Sequence, residues 1–452
     1  MAPTGGVSGP LQFYCTAGRG LEPFLTEEVR LKLAASDVSS MTGKVFFTTS
    51  APIRAVVGLR SAERLFLLLE KRAPPSGILS SGQAGRLIQE SIVADHSQWT
   101  HGLRLWRSLR RSLGEPDTDT SIPRRGQKRK QQEGECSDRD NSQKGQDPES
   151  MGSTVSEEAY SLPQTPYLVE DDPNTSHSLP VTFRVSCHCS GPVARRFSSQ
   201  DLGRLIGSTI SKQLCWRVDL RAPDLEVNVH LSDDRCVTGL PLLRLPLAHR
   251  SYIRTTGLRS TVAWAMASVA EIKPGSLVLD PMCGVGAVLL EAAKEYQNAF
   301  FVGTDIDESQ LMKASENVQF AQLSDSIELM RSSVNAISLP PCSVDAVVCD
   351  VPFGRKFGSR ADAAASLPAA VKEMERVLRV NGVLVLLLSP QLSVLLGKTL
   401  SSRPPVENLR DKPEGTPTPP LLSLQLCSSH RVGLGATDAI IHKYRKGPPP
   451  HQ

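Results

Sequence analysis

From Ser260 onward, short apolar runs alternate with longer helical stretches, and that alternation limits the folds open to the chain. Residues 277–279, 300–303, 326–330, 344–349 and 383–388 have the length and apolar composition of buried strands. Residues 286–296, 308–321 and 361–379 read as helices between them. A further helix, 260–270, precedes the first strand, capped by Ser260 and stopped before Pro274. Strands joined through helices need right-handed crossovers, so a mostly parallel sheet follows. Residues 421–427 and 437–444 flank Arg431-Val432-Gly433-Leu434-Gly435 and read as a terminal hairpin adding an antiparallel strand.

The N-terminal half lacks this regular alternation. Strands are expected at 11–14 and 44–48, and helices at 21–33 and 61–70. Residue 181 starts a second small α+β pattern: a strand at 181–186, a helix from Ser198-Ser199-Gln200-Asp201 to about Leu214, and strands at 225–231 and 235–240. Residues 112–176 separate the two patterns, with 14 acids, 7 bases and few branched apolar residues. Such a segment buries too little apolar surface to offset the entropy of ordering, and disorder is expected. Inside it, residues 123–130 form a basic run of the kind that serves as a nuclear import signal, which points to the nucleus. Pro-rich residues 402–420 read as a surface loop.

Charge looks neutral only on average. The net charge of the 452 residues is +4, but the acidic stretch holds −7 of it and the rest of the chain carries +11. A basic folded remainder is compatible with nucleic acid. No run approaches the roughly 20 apolar residues of a membrane span, so no membrane partner is expected. The N-terminus has no secretory pattern and the ten cysteines have no regular spacing, as expected of a soluble chain in a reducing compartment. Cys187-His188-Cys189 is a tight pair that no second pair complements; it reads as strand residues rather than as metal ligands, and no metal is expected.

Four features follow one another in the alternating half. Asp280-Pro281-Met282-Cys283-Gly284-Val285-Gly286 ends the first strand and opens a helix. Its glycines allow close approach of a ligand to the backbone, while an acid ahead of them repels a pyrophosphate and attracts an amino group. The loop also departs from the Gly-x-Gly-x-x-Gly dinucleotide fingerprint. Asp305 closes the second strand, placed for ribose hydroxyls, with Asp307 available as a helix cap. Ser333 follows the third strand, in a position suited to an adenine amino group. Asp350-Val351-Pro352-Phe353-Gly354 follows the fourth and compresses a carboxylate, a turn-forming proline and an aromatic ring into one strand exit.

In this order the four features resemble the class I methyltransferases that use S-adenosylmethionine. The fourth is similar to the Asp/Asn-Pro-Pro-Phe/Tyr signature of enzymes that methylate amino nitrogens, with Val351 replacing the first proline. Asp-x-Pro-Phe-Gly resembles the version in methyltransferases that carry a THUMP RNA-binding domain. Residues 183–187, 196–202, 218–227 and 239–242 look like a THUMP domain, and residues 10–105 like its ferredoxin-like companion. The implied fold class is α/β. A class I Rossmann-like methyltransferase domain (251–446) follows a ferredoxin-like domain (10–111), the linker (112–176) and a THUMP domain (177–250).

The resemblance further implies guanine-N2 methylation of an RNA, a spliceosomal small nuclear RNA ahead of tRNA. Asp350, Pro352 and Phe353 would be catalytic. Asp280, Pro281, Cys283, Gly284, Gly286, Asp305, Ile306 and Ser333 would hold S-adenosylmethionine. Arg184, Arg195, Arg196, Lys212 and Arg217 would meet RNA. It also implies a small zinc-binding activator subunit covering an apolar surface, for which the 383–388 strand is one candidate and buried core its other reading. Two rivals stay open at this point: a degenerate fold that only binds RNA, and an amino methyltransferase acting on DNA or protein.

Overall fold

The apolar runs assemble into two sheets in the computed structural model, which describes residues 9–73, 93, 95–114, 181–191, 193–196, 198–232, 235–352, 360–401 and 423–448. The N-terminal half supplies β1 (Leu11–Thr16), α1 (Glu22–Leu33), β2 (Ser36–Met41), β3 (Lys44–Thr49), α2 (Ile53–Val56), β4 (Arg64–Arg72) and α3 (His96–Leu113). After the linker come β5 (Thr182–Cys189), α4 (Val193–Arg196), α5 (Ser199–Leu214), β6 (Arg217–Val218), β7 (Leu225–Leu231) and β8 (Cys236–Pro241). All eight strands form one sheet, ordered β2-β3-β1-β4-β8-β7-β5-β6. The two N-terminal patterns are therefore fused through antiparallel pairing of β4 with β8, from Phe66 opposite Pro241 to Arg72 opposite Cys236.

Close packing in this sheet depends on small residues. Tyr14 lies stacked on Phe66, with ring centroids 4.6 Å apart, and its hydroxyl reaches across β8 to Asn228 Oδ1 at 3.2 Å. Gly239 lies beneath that ring, where a Cβ would strike Tyr14 and the Leu67 carbonyl. Gly203 and Gly207 let α5 settle onto Cys187 and Val185 of β5. Ser198 caps α5 as its sequence implied, its Oγ accepting from Asp201 N at 3.1 Å.

The C-terminal half contains α6 (Ser260–Val269), β9 (Leu277–Asp280), α7 (Ala287–Glu295), β10 (Phe300–Asp305), α8 (Glu308–Phe320) and β11 (Ile327–Arg331). It continues with β12 (Val344–Asp350), α9 (Arg360–Val377), β13 (Leu378–Leu388), α10 (Pro390–Ser401), β14 (Leu424–Leu434) and β15 (Thr437–Lys446). Strand order is β11-β10-β9-β12-β13-β15-β14, parallel through β13 and antiparallel thereafter. The chain winds outward from β9 to β11 and returns to β12, so the switch point lies between β9 and β12, where open α/β sheets bind ligands.

Several sequence expectations need correction. Residues 64–70 are strand, not helix: β4 is paired on both sides and buried on both faces, so its run of leucines has no period to read. Helix α6 has Arg259, not Ser260, at its N-cap, with no side-chain cap bond. The hairpin reverses at Gly435, φ +68°, rather than over 431–435, and it adds two strands. Ser112 and Leu113, placed in the linker, are the last residues of α3, which Gly114 caps at φ +77°. The rest of the linker, its basic run and residues 402–420 lie outside the described residues.

The halves meet through buried charge. Glu28 accepts from Arg60 N, Ser61 N and Lys32 Nζ, each at 2.9 Å, while Lys32 also reaches Glu295 of α7. Glu291, fully buried on α7, accepts from Arg250 Nε at 2.9 Å and from the Tyr252 hydroxyl at 2.5 Å. The β1–α1 loop seats against β14, where Gly433 N donates to Arg19 O at 2.8 Å. Gly20, at φ +84°, is the residue there that has no Cβ to strike the Arg431 backbone. Among the described residues no helix is long and apolar enough to cross a membrane.

Candidate active site

Three acids arrive at the switch point in phase. Register pairs Val278 with Ala346, Leu279 with Val347, and Gly303 with Asp280. Side chains alternate along a strand, so Asp305, Asp280 and Asp350 project from one face at the C-terminal ends of β10, β9 and β12. Asp280 is almost wholly buried, and its Oδ1 accepts from Met282 N at 3.3 Å. Burial holds its carboxyl well above the usual carboxylate range, and the charges of Asp350 and Asp305 push the same way. Burial also pushes Asp350 up to about 7. A cationic group bound among these acids is favoured, because its charge offsets the cost of ionising them in the buried site.

The glycine loop is tied to its neighbours. Cys283 N donates to Thr304 O at 2.9 Å, and Thr304 Oγ1 donates to Pro281 O at 3.2 Å. Asp305 accepts from Gly284 N with Oδ2 and from Asp307 N with Oδ1, both at 2.9 Å. A carboxylate has about four acceptor positions, so two remain for a ligand diol. Asp307 itself caps α8, accepting from Ser309 N at 2.8 Å, which leaves Asp305 alone facing the loop. Cys283 is buried against Gly303, where a Cβ would also meet Leu289 and Leu329; burial pushes its thiol up, so it packs rather than reacts.

Space for a ligand is visible at Gly284. Its φ is +52°, that of Gly286 is +82°, and a Cβ at Gly284 would meet none of the described residues within 4 Å. Ile306, next to Asp305, is 66% exposed, an apolar side chain held at the rim. Ser333 stands on the same rim: Ser332 N donates to Asp305 O at 3.1 Å, and Ser333 bridges to Ala336 in the turn after β11. An open glycine cradle, a diol-binding carboxylate, an exposed apolar face and buried acids fit S-adenosylmethionine, which carries a ribose, an aromatic base, an ammonium and a sulfonium.

Beyond β12, Val351 N donates to Leu387 O at 3.2 Å, which fixes the strand exit with Pro352 half-buried beside it. Phe353 lies outside the described residues. The cations expected to meet RNA divide between the two faces of the first sheet. Arg195 and Lys212 are exposed around α5, and the Arg196 side chain lies outside the described residues. Arg217, exposed on the edge strand β6, is in register with Thr182 and so lies on the face of Arg184. Arg184 points away from α5, because Val185 and Cys187 face that helix, and it is paired with Glu226 at 2.6 Å. Among the described residues no group of three or more His, Cys, Asp or Glu side chains is arranged to hold a metal.

Sequence reading missed Asn317, a fully buried amide on α8 whose Nδ2 donates to Val285 O in the glycine loop at 2.9 Å. The available signal was an asparagine inside an otherwise regular helix, where that side chain is disfavoured unless it has backbone partners.

Residues 248–404 match the RMKL-like methyltransferase domain family, and residues 154–239 match the THUMP domain family. The chain is 41% identical to the Bos taurus U6 snRNA (guanine-N(2))-methyltransferase THUMPD2, an alignment that covers 97% of this chain and 96% of that protein. It is 37% identical to the Homo sapiens protein of the same name, over 98% of this chain and 97% of that protein. Identity to the Mus musculus tRNA (guanine(6)-N(2))-methyltransferase THUMP3 is 26%, over 80% and 78% of the two chains. The crystal structure of TrmN from Thermus thermophilus shares the fold with a TM-score of 0.62 at 19% identity, covering 96% of this chain and 99% of that one.

Proposed function

The chain belongs to the RNA guanine-N2 methyltransferases that carry a THUMP domain, and from that membership we propose that it transfers a methyl group from S-adenosylmethionine to the exocyclic N2 of a guanosine in a structured RNA, U6 small nuclear RNA ahead of tRNA. The observation that carries the reading is the trio of in-phase carboxylates beside the open Gly284 cradle. Asp305 takes the ribose hydroxyls, Asp280 the amino end and Ile306 the adenine face, with Ser333 near its edge. Bound there, the cofactor supplies an electrophilic methyl group.

Guanine N2 is a poor nucleophile because its lone pair is delocalised into the ring. Asp350 accepts one amine hydrogen and the Val351 or Pro352 carbonyl the other, which turns the lone pair towards the methyl group. Asp350, with its pKa near neutrality, also takes the proton that the amine sheds. Phe353 stacks on the flipped base. Arg195, Arg196 and Lys212 bring RNA to the α5 side of the first sheet; Arg217 stands on the opposite face with Arg184, which is already paired and contributes less.

Two further assignments complete the proposal. The working enzyme is a heterodimer with a small zinc-binding activator subunit. Residues 383–388 are buried between β12 and β15, so an activator meets an open sheet edge instead, and β11 supplies one. The enzyme works in the nucleus, where the basic run at 123–130 directs it; imaging the tagged protein with and without that run tests this. Transfer of labelled methyl groups to U6 transcripts, tRNA, DNA and protein, with and without the activator, tests the reaction. Label in U6 supports the proposal, label confined to DNA or protein changes the acceptor, and none in any pool leaves a binding module.

A further inference from the structure

The segment that leads from the RNA-binding half into the catalytic domain lies against the glycine loop, and one side chain fastens it there. Asn317 Oδ1 accepts from Arg254 N at 3.0 Å and from Thr255 N at 2.9 Å. Its Nδ2 donates to Thr255 O and to Val285 O, each at 2.9 Å. All four bonding positions of the amide are filled, and the residue has no exposed surface. From the other side, Gly257 lies so near the loop that a Cβ would fall 2.6 Å from Val285 Cγ2 and 3.7 Å from Ala287 Cβ. One turn earlier on α8, Ala314 Cβ sits 3.6 Å from where a Gly286 Cβ would be.

The same segment is anchored at both ends to the N-terminal half. Upstream, the Tyr252 hydroxyl accepts from Arg60 Nη1 at 2.7 Å, and Arg250 Nη2 donates to Arg60 O at 2.6 Å. Downstream, Arg259 pairs with Glu63 at 2.8 Å. A shift of the N-terminal half relative to the catalytic domain therefore pulls on a strap whose centre is bonded, through Asn317, to the carbonyl between Gly284 and Gly286.

We propose that Asn317 is a positioning residue and that residues 250–259 are a strap which makes the shape of the cofactor loop, and hence cofactor affinity, depend on the seating of the RNA-binding half. The inference rests on the S-adenosylmethionine reading of the loop. It assigns to Asn317 no contact with cofactor or RNA; its effect passes through the Val285 carbonyl.

Asn317→Asp keeps the acceptors for Arg254 N and Thr255 N but sets a carboxylate oxygen against the Val285 and Thr255 carbonyls. Gly257→Ala disturbs the same contact from the opposite side and serves where the first variant does not fold. Isothermal titration with S-adenosylmethionine, and steady-state kinetics on the full-length protein, are expected to show a Kd and KM for the cofactor raised about tenfold in each variant. The loss in kcat at saturating cofactor is expected to be smaller, and RNA affinity measured without cofactor to change less than twofold. Arg259→Ala, remote from the loop, is expected to raise the same Kd two- to fivefold. Folded variants with a cofactor Kd within twofold of wild type, or a loss confined to kcat, overturn the proposal. Wild-type protein that does not bind S-adenosylmethionine overturns the cofactor reading itself, and the inference with it.

Discussion

At Asp350 the wish for an acceptor at neutral pH meets the cost of burying charge. Its pKa of about 7 means that the carboxylate needed to accept from the amine is present only above that value. Methyl transfer is expected to rise with pH through about 7, and Asp350→Asn to lose on the order of 10²–10³ in kcat while keeping affinity for cofactor and RNA. The same burial sets the sign of the stability effect. The folded pKa lies above that of the unfolded chain, so the folded state binds the extra proton and stability falls as pH rises from about 4 to about 7. Asn has no charge to bury, so Asp350→Asn is expected to melt higher than wild type at pH 8, with the gap narrowing towards pH 5; thermal unfolding across that range checks it. Asp305 differs, because it organises the loop as well as the ligand. Asp305→Ala removes the acceptor for Gly284 N and Asp307 N, and the cofactor Kd by calorimetry is expected to rise 10- to 100-fold. The acids of the site were legible in the sequence because each ends an apolar run. Asn317 was not, because its four partners are backbone groups from segments far apart in sequence.

At the level of elements, the continuous first sheet has a consequence that separate domains would not. The pairing of β4 with β8 is expected to make the strands of the first sheet one cooperative unit, with Gly239 close to the centre of the join. Gly239→Ala is expected to destabilise that unit by about 1–3 kcal/mol through overpacking against Tyr14. Hydrogen exchange is expected to show β1, β4, β7 and β8 loosening together while β9 to β13 keep their protection; loosening of β7 and β8 alone would show two independent units. The alternating half was legible element by element, since strand and helix periods differ and the strand exits that form the site carry glycine or proline, as at Pro281, Gly284, Gly286 and Pro352. The fusion of the N-terminal patterns was not, because no local signal says which strand edges meet. β4 was misread for a related reason: Leu65, Phe66, Leu67 and Leu69 are all buried, and a strand covered on both faces has lost the alternation that identifies it. The polar strand β2, paired only along one edge, was missed because its exposed serines leave only Val38 and Met41 half-buried, too few for an apolar pattern.

For the whole molecule, the division of charge matters more than its sum. An acidic stretch of −7 lies beside a remainder of +11, and that remainder holds both the exposed cations around α5 and the catalytic cleft. RNA affinity is expected to fall with salt, and the double change of Arg195 and Lys212 to Ala to flatten log K against log salt by roughly 2 units of slope. An unchanged slope would move the RNA path to another face. The central claim is that Asp350 at the β12 exit is the acceptor on which methyl transfer to guanosine N2 in RNA depends. Mass spectrometry of small RNAs from cells lacking the protein, complemented with wild type or Asp350→Asn, tests it most directly. N2-methylguanosine in U6 small nuclear RNA is expected to disappear on loss of the protein and to return with wild type alone. Its persistence without the protein, or its return with Asp350→Asn, would contradict the account.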